Sequence, residues 1–399
     1  MNNHLLMSGS YVKTGLRALL RQKVHLALNL IGLSVGLAAA VLILLYVQFE
    51  SGYDEMHPKA QNAYRVEQYF LPLEQRFPIS SPAILAEFQT LDSRIQGTRM
   101  IEDSMKVRPQ GSELPLNLGF LAIEPNFTDF FGLEVVSGDL TKTLSNPGNL
   151  ALSIKQSMRL FGHTDSVGAT LTGNKQTYTV TAVFKLPEQS HLEADALRLA
   201  SETILNQSLG INNAYTYVHL PENVDKNSLL KGVSEALNEK AYEGKATSEI
   251  QFRPLTDIHL HSQLSYEFKT NGSWATLMTA SVLALLLLII AGINFINMSI
   301  ARSSLRAKEV GVRKTLGATR WQLFTQFMLE SLIVAFIAGF IAAILVEFGI
   351  SAFNGLVNRP ITLDYLGSFG FLLLSCSTVI GVLAGIYPAL FISSFSARR

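Results

Sequence analysis

Three stretches of this sequence carry residue types at spacings that could do chemistry, and each would need a particular element around it. Gly168-Ala-Thr-Leu-Thr-Gly173-Asn174-Lys175 approximates a phosphate-binding loop, in which backbone N–H groups cradle phosphates and a lysine reaches the last of them. Asn174 stands where that lysine belongs, no Ser or Thr follows Lys175 directly, and the pattern continues as a strand instead of a helix. Gly32-Leu-Ser34-Val-Gly36 has the spelling of a nucleophile elbow, but it lies inside a long apolar run with no His or Asp nearby to activate the serine. His259 and His261 are spaced to share one face of a strand, as two zinc ligands would be. A third ligand is not evident, so a core or surface pair of histidines is expected. The single cysteine, Cys376, excludes an intrachain disulfide and a cysteine-based metal site. The expectation is a chain with no catalytic residue, no metal and no directly bound cofactor.

The elements that would carry any site divide sharply by composition. Of 399 residues 48% are hydrophobic and only 16% charged, and the apolar residues concentrate in one run near the N-terminus and three runs after residue 273. A helix crosses the hydrocarbon core with roughly 20 apolar residues. Four segments qualify as spans, at 26–49, 274–300, 323–350 and 366–391, the third having its apolar run from 327. The first run is too long for the apolar part of a cleaved signal peptide. Lys and Arg set the orientation. Segment 1–25 carries Lys13, Arg17, Arg21 and Lys23 with no acid, and segment 301–322 carries Arg302, Arg306, Lys308, Arg313, Lys314 and Arg320 against Glu309 alone. Both are expected to be cytoplasmic, as is the tail 392–399; 351–365 is a short loop on the opposite side, and 50–273 an extracytoplasmic domain. That domain holds 27 acidic and 19 basic residues, and nothing in the chain signals nucleic-acid binding.

Within the spans, Gly32-x-x-x-Gly36 and Gly381-x-x-x-Gly385 are spaced for close helix packing. Asn294, Asn297, Glu330 and Glu347 are polar groups placed toward helix ends, where they can reach the interface. The middle domain reads as mixed α and β. A strand runs from Leu150 into a helix opened by the capping box Ser153-Ile-Lys-Gln156 and closed at Gly162. Residues 169–172 and 177–185 form a hairpin across Gly173-Asn174. A strand at 214–220, a helix at 226–242 and a strand at 249–260 follow, the last leading directly into the second span. The fold class is an α-helical membrane protein of four transmembrane helices with an α+β extracytoplasmic domain, its repeated βαβ-like order suggesting two subdomains.

One segment stands out between the second and third spans: Lys308-Glu309-Val310-Gly311-Val312-Arg313-Lys314-Thr315-Leu316-Gly317-Ala318-Thr319. Its first half is predicted to form a short amphipathic helix on the inner membrane face, with Val310, Val312 and Leu316 as the apolar residues and Arg306, Arg313 and Lys314 toward solvent or headgroups. The order of residues resembles the coupling segment of the FtsX-like, MacB-type ABC permease family, which reads close to KEVGVRKxLGAS. Further resemblances lie in Tyr53-Asp54 to Val66, in the Asn126 to Gly138 stretch, in Pro187-Glu-Gln-Ser190-His191-Leu192, in Pro254-Leu-Thr-Asp-Ile-His259-Leu260, and in Ile293-Asn294-Phe295-Ile296-Asn297 through Arg302.

What the resemblance implies is a type VII permease: one membrane helix, a MacB-like periplasmic core domain, then three helices, working as a dimer. Members transmit ATP-driven motion from a cytoplasmic ABC ATPase to the periplasmic domain, termed mechanotransmission. Carried over by position, Lys308 to Thr319 would dock on the ATPase, with Glu309, Arg313 and Lys314 as charged contacts. No Walker or signature motif is present, so ATP would be used by a separate partner. Relatives without an ATPase domain often hold two such halves, so a second copy or a sister half-permease is expected. The implied setting is the bacterial inner membrane, with lipid around the spans, both termini cytoplasmic, and a periplasmic adaptor and outer-membrane channel as further partners. The implied activity is efflux of an antibiotic, peptide or siderophore-like substrate; lipoprotein release and signalling to a cell-wall hydrolase are the alternatives.

Overall fold

A computed structural model of the chain describes residues 23–110, 114–305 and 307–394. Residues 1–22 of the expected segment 1–25 and 395–399 of the expected tail 392–399 therefore fall outside the described residues. The chain divides into two compact units, one made of residues before 50 and after 274, the other of Glu50–Trp274.

The first unit is helical. Helix α1 spans Lys23–Ser51, and among the described residues four helices are long and apolar enough to cross a membrane. The membrane-capable stretches are Leu26–Ser51, Trp274–Ala301, Arg320–Val357 and Ser368–Ile386. The third is longer than the expected 323–350: a capping box at Thr319 starts it, and Asn358, in the left-handed region, ends it. The predicted short loop is shortened accordingly. The unit's core is a seam of Leu33, Leu37, Val41, Ala291, Val334, Ala338 and Ala342, where small residues alternate with branched ones and let backbones approach.

Among its described residues the second unit holds eleven strands joined in one hydrogen-bonded sheet. In chain order they are β1 (Ala63–Phe70), β2 (Gln75–Phe77), β3 (Gln96–Pro109), β4 (Leu116–Ile123), β5 (Glu134–Gly138), β6 (Asn149–Ser153), β7 (Thr170–Gly173), β8 (Gln176–Lys185), β9 (Ala196–Leu199), β10 (Tyr215–His219) and β11 (Ser248–Pro254). Strand β7 pairs with both β3 and β8, so β3, β4, β9, β6, β8 and β7 close into a ring. Closure removes sheet edges, and the ring encloses Met105, Val107, Leu118, Phe120, Leu152, Leu171 and Val180. Beyond it β10, β1 and β11 extend the sheet, with α2 (Ile84–Leu91) and α4 (Lys226–Ala241) sharing a core around Val66, Phe88 and Val233. The helix between β6 and β7 is α3 (Ile154–Phe161).

Local chemistry explains these boundaries. The hairpin forms because Asn174 and Lys175 both accept positive φ, as a two-residue turn requires. At α3 the Ser153 side chain caps Gln156 N, but the Gln156 amide turns to Asp195 Oδ1 at 2.6 Å and does not close the box. The predicted strand 249–260 ends early. Pro254 lacks a donor for the ladder, a 3-10 turn occupies Leu255–Asp257, and a helical turn occupies Ile258–His261. That strand therefore does not run into the second span, and an irregular segment intervenes.

Candidate functional site

The second and third spans are α5 (Trp274–Leu305) and α7 (Arg320–Val357), and between them the chain forms α6 (Ala307–Thr315); α8 (Ser368–Ser394) follows. Helix α6 stops where the Leu316 and Gly317 amides cap the Val312 and Lys314 carbonyls, with Gly317 at φ +94, a conformation that suits glycine. Ala318 leads from it to the cap at Thr319. Val310 is 3% exposed and packs on Leu323 and Phe327 of α7, whereas Val312 is 60% and Leu316 82% exposed. The expected single apolar face is thus corrected. At about 100° per residue Val310 and Val312 point to nearly opposite sides, so Val310 anchors the segment and Val312 with Leu316 faces outward. Gly311 has open space around it, and Lys314 is pushed below the usual lysine value by desolvation and by Arg320. The side chains of Lys308, Glu309 and Arg313 lie outside the described residues.

Both glycine pairs sit at helix crossings. A methyl placed on Gly36 would lie 2.6 Å from Ala291 Cβ, and one on Gly32 would lie 2.7 Å from Asn294 Nδ2, both on α5. A methyl on Gly381 or Gly385 of α8 would meet Ala335 or Met328 of α7 at 3.0 and 2.9 Å.

The second unit holds a buried polar network that composition did not announce. Asp54, kept in the left-handed region, lies just after α1 and is fully buried. Its Oδ1 accepts the His191 backbone N–H at 3.0 Å, His191 Nδ1–H at 2.9 Å and His57 Nε2–H at 3.1 Å. Surrounding groups fix the tautomers: Gly132 N–H donates to His57 Nδ1, and the Tyr217 hydroxyl donates to His191 Nε2 at 2.7 Å. Ser190 Oγ sits 3.1 Å from His57 Nε2. Burial alone would raise the Asp54 carboxyl, but attraction to His191 and hydrogen bonds from both histidines hold it well below the usual carboxylate range. Burial pushes His191 below its ordinary value, against the pull of Asp54.

Beside it Arg65, also fully buried, donates to Glu267 at 2.7 and 2.8 Å, to Glu67 Oε1 at 2.8 Å and to Ser262 Oγ at 2.9 Å. Where the chain enters and leaves this unit, His259 Nε2 meets Glu50 Oε2 at 2.8 Å and its ring stacks on Tyr53 at 3.4 Å. A side chain on Gly272 would strike both partners. His261, by contrast, is exposed and stacks on Trp274. The two histidines therefore do not share a face.

The MacB-like periplasmic core domain model matches residues 26–236, and the FtsX-like permease C-terminal model matches residues 281–397. The chain belongs to the FtsX-like permease family with a MacB-like periplasmic core. Among curated relatives, the macrolide export ATP-binding/permease protein MacB of Neisseria gonorrhoeae is 28% identical over 58% of this chain and 34% of its own length. The uncharacterized ABC transporter permease YknZ of Bacillus subtilis is 24% identical over 95% of both chains. MacB of Bdellovibrio bacteriovorus is 23% identical over 95% of this chain and 59% of its own length. The chain thus spans about a third of the first of these relatives. The solved periplasmic region of MacB from Actinobacillus actinomycetemcomitans covers 50% of this chain and 91% of its own, at 16% identity and TM-score 0.36. The solved extracellular domain of YknZ covers 48% and 100%, at 20% identity and TM-score 0.34.

For this permease the Asp54, His57 and His191 cluster is the described group whose ligand atoms could hold a metal, lying within 4.8 Å of one another. Each ring nitrogen already has a hydrogen-bond partner, and an ion would have to displace the N–H donors from Oδ1. The chemistry of the set favours a structural lock between the start of the domain and the loop 187–192. The sequence signal for it lies in the two motifs Tyr53-Asp54 and Ser190-His191, which are far apart in the chain and carry no mark of their pairing.

Proposed function

We propose that this chain is the non-catalytic permease subunit of a type VII ABC transporter, in which α6 takes up motion from a separate cytoplasmic ATPase. The observation that carries the reading is the split of α6: Val310 fastened to α7, and Val312 with Leu316 presented outward. Such an arrangement gives a partner an apolar contact at the junction of two membrane helices. Lys308, Glu309, Arg313 and Lys314 supply charged contacts around it. ATP is used by the partner, and no cofactor binds this chain directly.

The outer unit suits the receiving end. The Glu50 to His259 contact ties together the places where α1 enters and the segment toward α5 leaves, so displacement of either helix is shared with the other. The Asp54 lock then passes it into the sheet at Tyr217. Differential affinity of the ATPase for two permease states supplies the work. The unit is read as two subdomains, the closed ring and the β10-β1-β11 layer. The chain works as a dimer with itself or a sister half-permease, in the inner membrane with both termini cytoplasmic, and moves an antibiotic, peptide or siderophore-like substrate through a periplasmic adaptor and outer-membrane channel.

Co-purification of the partner ATPase with Val312→Asp and Leu316→Asp variants tests the docking. Both positions are exposed, so the chain should fold, and recovery of ATPase should fall roughly tenfold. Undiminished recovery of the ATPase with both variants would remove α6 from the contact.

A further inference from the structure

A cavity of about 240 Å³ opens in the outer unit between the end of β1, strand β2 and the segments before β10 and after β11, lined by Gln68, Phe70, Phe77, Ile79, Asn212 and Tyr266. The strand register makes it. Gln68 faces Phe77 across the β1–β2 ladder, and Phe70, two residues on, lies on the same side. No lining residue is charged, and three of them are aromatic.

Two observations mark this as a built site. Gln68 is 2% exposed, its amide NH₂ donates to Ser248 Oγ at 2.8 Å, and its Oε1 has no partner among the described residues; Asn212 Oδ1 is likewise buried and unpartnered among them. Buried carbonyl oxygens without donors are costly, and a ligand N–H would relieve that cost. Tyr266, at the rim, has φ +69 although it is a bulky residue, and its carbonyl is clamped by the Tyr215 hydroxyl at 2.6 Å. That conformation is uncommon and disfavoured for such a side chain. It holds a 63% exposed ring 6.4 Å from the ring of Phe77.

We infer that this cavity binds a small organic ammonium ion carrying an aromatic or apolar arm. Its N–H groups would donate to Gln68 Oε1 and Asn212 Oδ1, and its charge would rest against the faces of Phe70, Phe77 and Tyr266, which attract cations through their ring quadrupoles. An anion finds no charged donor among the lining residues. The inference stands apart from the transport reading, since binding here requires no ATPase.

The test is titration calorimetry of phenethylammonium chloride into the full chain in lipid nanodiscs, with Tyr266→Ala and Tyr266→Phe beside the unaltered protein. Partition into lipid is common to all three and subtracts. One saturable site is expected, weakened roughly tenfold in Tyr266→Ala and retained in Tyr266→Phe. Phenylethanol, with the same arm and no charge, should bind about tenfold more weakly. Asn212→Asp, which adds a countercharge, should tighten the ammonium several-fold. Absence of saturable binding, equal binding to Tyr266→Ala, or equal affinity for the alcohol would each overturn the assignment. Because the Tyr266 side chain is largely exposed, its loss should leave the melting temperature unchanged, and that measurement separates lost binding from lost fold.

Discussion

The Asp54 lock and the α6 segment handle polar and apolar groups in opposite ways. At the lock, charged and polar side chains are buried, and most of their hydrogen-bonding atoms are matched by partners remote in sequence, as Asp54 is by His191. At α6 Val310 is the one buried apolar side chain among those described, and its neighbours Val312 and Leu316 are left on the surface. A buried polar set tolerates one arrangement because any other leaves groups unpaired. An exposed apolar pair costs the isolated chain little to change and matters chiefly when something covers it. The lock is therefore where substitution should alter stability, and α6 where it should alter partnership.

The largest effect is expected at Arg65. Replacing it with Met keeps much of the volume but leaves Glu67 and Glu267 facing each other without their shared cation, which should cost about 3–5 kcal/mol. Arg65→Lys keeps the charge and loses the two-pronged contact to Glu267, so it should fall between Met and the native residue. Denaturant unfolding of the outer unit's tryptophan-free core can be followed by far-ultraviolet circular dichroism of the full chain. A Met variant as stable as the parent would show that the network is ornamental. Next in size, Gly36→Leu should cost about 1–3 kcal/mol, because its first added carbon already meets Ala291 at 2.6 Å; thermal unfolding in detergent measures it.

Acidification sharpens the same contrast. His191 is held below its ordinary value in the fold, so on lowering the pH the unfolded chain takes up that proton first, and stability falls as pH drops below about 6.5. Asp54 is also held low, so its contribution is complete above about 4 and is lost as the pH falls further. Both groups act in one direction. Melting temperature should decline from pH 7 to 5 in the parent and decline less in His191→Asn, which starts lower. Parallel pH profiles for the two proteins would assign the acid sensitivity elsewhere.

How much of this was legible depended on the range of the signal. The spans were readable because each apolar run is continuous, and the β7–β8 hairpin because Asn174 tolerates the turn its neighbours need. The end of β11 was missed because Ile258 and Leu260 alternate as strand residues do, past a proline that removes the donor. The lock was not visible as a unit: Asp54 and His191 are separated by 137 positions, and the fold brings them into direct contact, with His191 reaching on to Tyr217 of β10. At α6 the residue types were read in the right place, but Val310 and Val312 were given one face, which a spacing of two cannot provide on a helix.

That last point yields the smallest expected change in stability. Leu316→Ser removes a side chain with 82% of its surface in contact with solvent or partner, so melting of the isolated chain should move by no more than about 0.5 kcal/mol. Val310→Ser, two positions before Val312 and of similar chemistry, opens a gap against Leu323 and Phe327 and should cost about 1–3 kcal/mol. If the two variants melt alike, α6 is not fastened by one face and free on the other. If only Val310→Ser melts early while both lose the ATPase, the buried valine positions the helix and the exposed pair makes the contact, which is the division of labour that the spacing of these residues imposes.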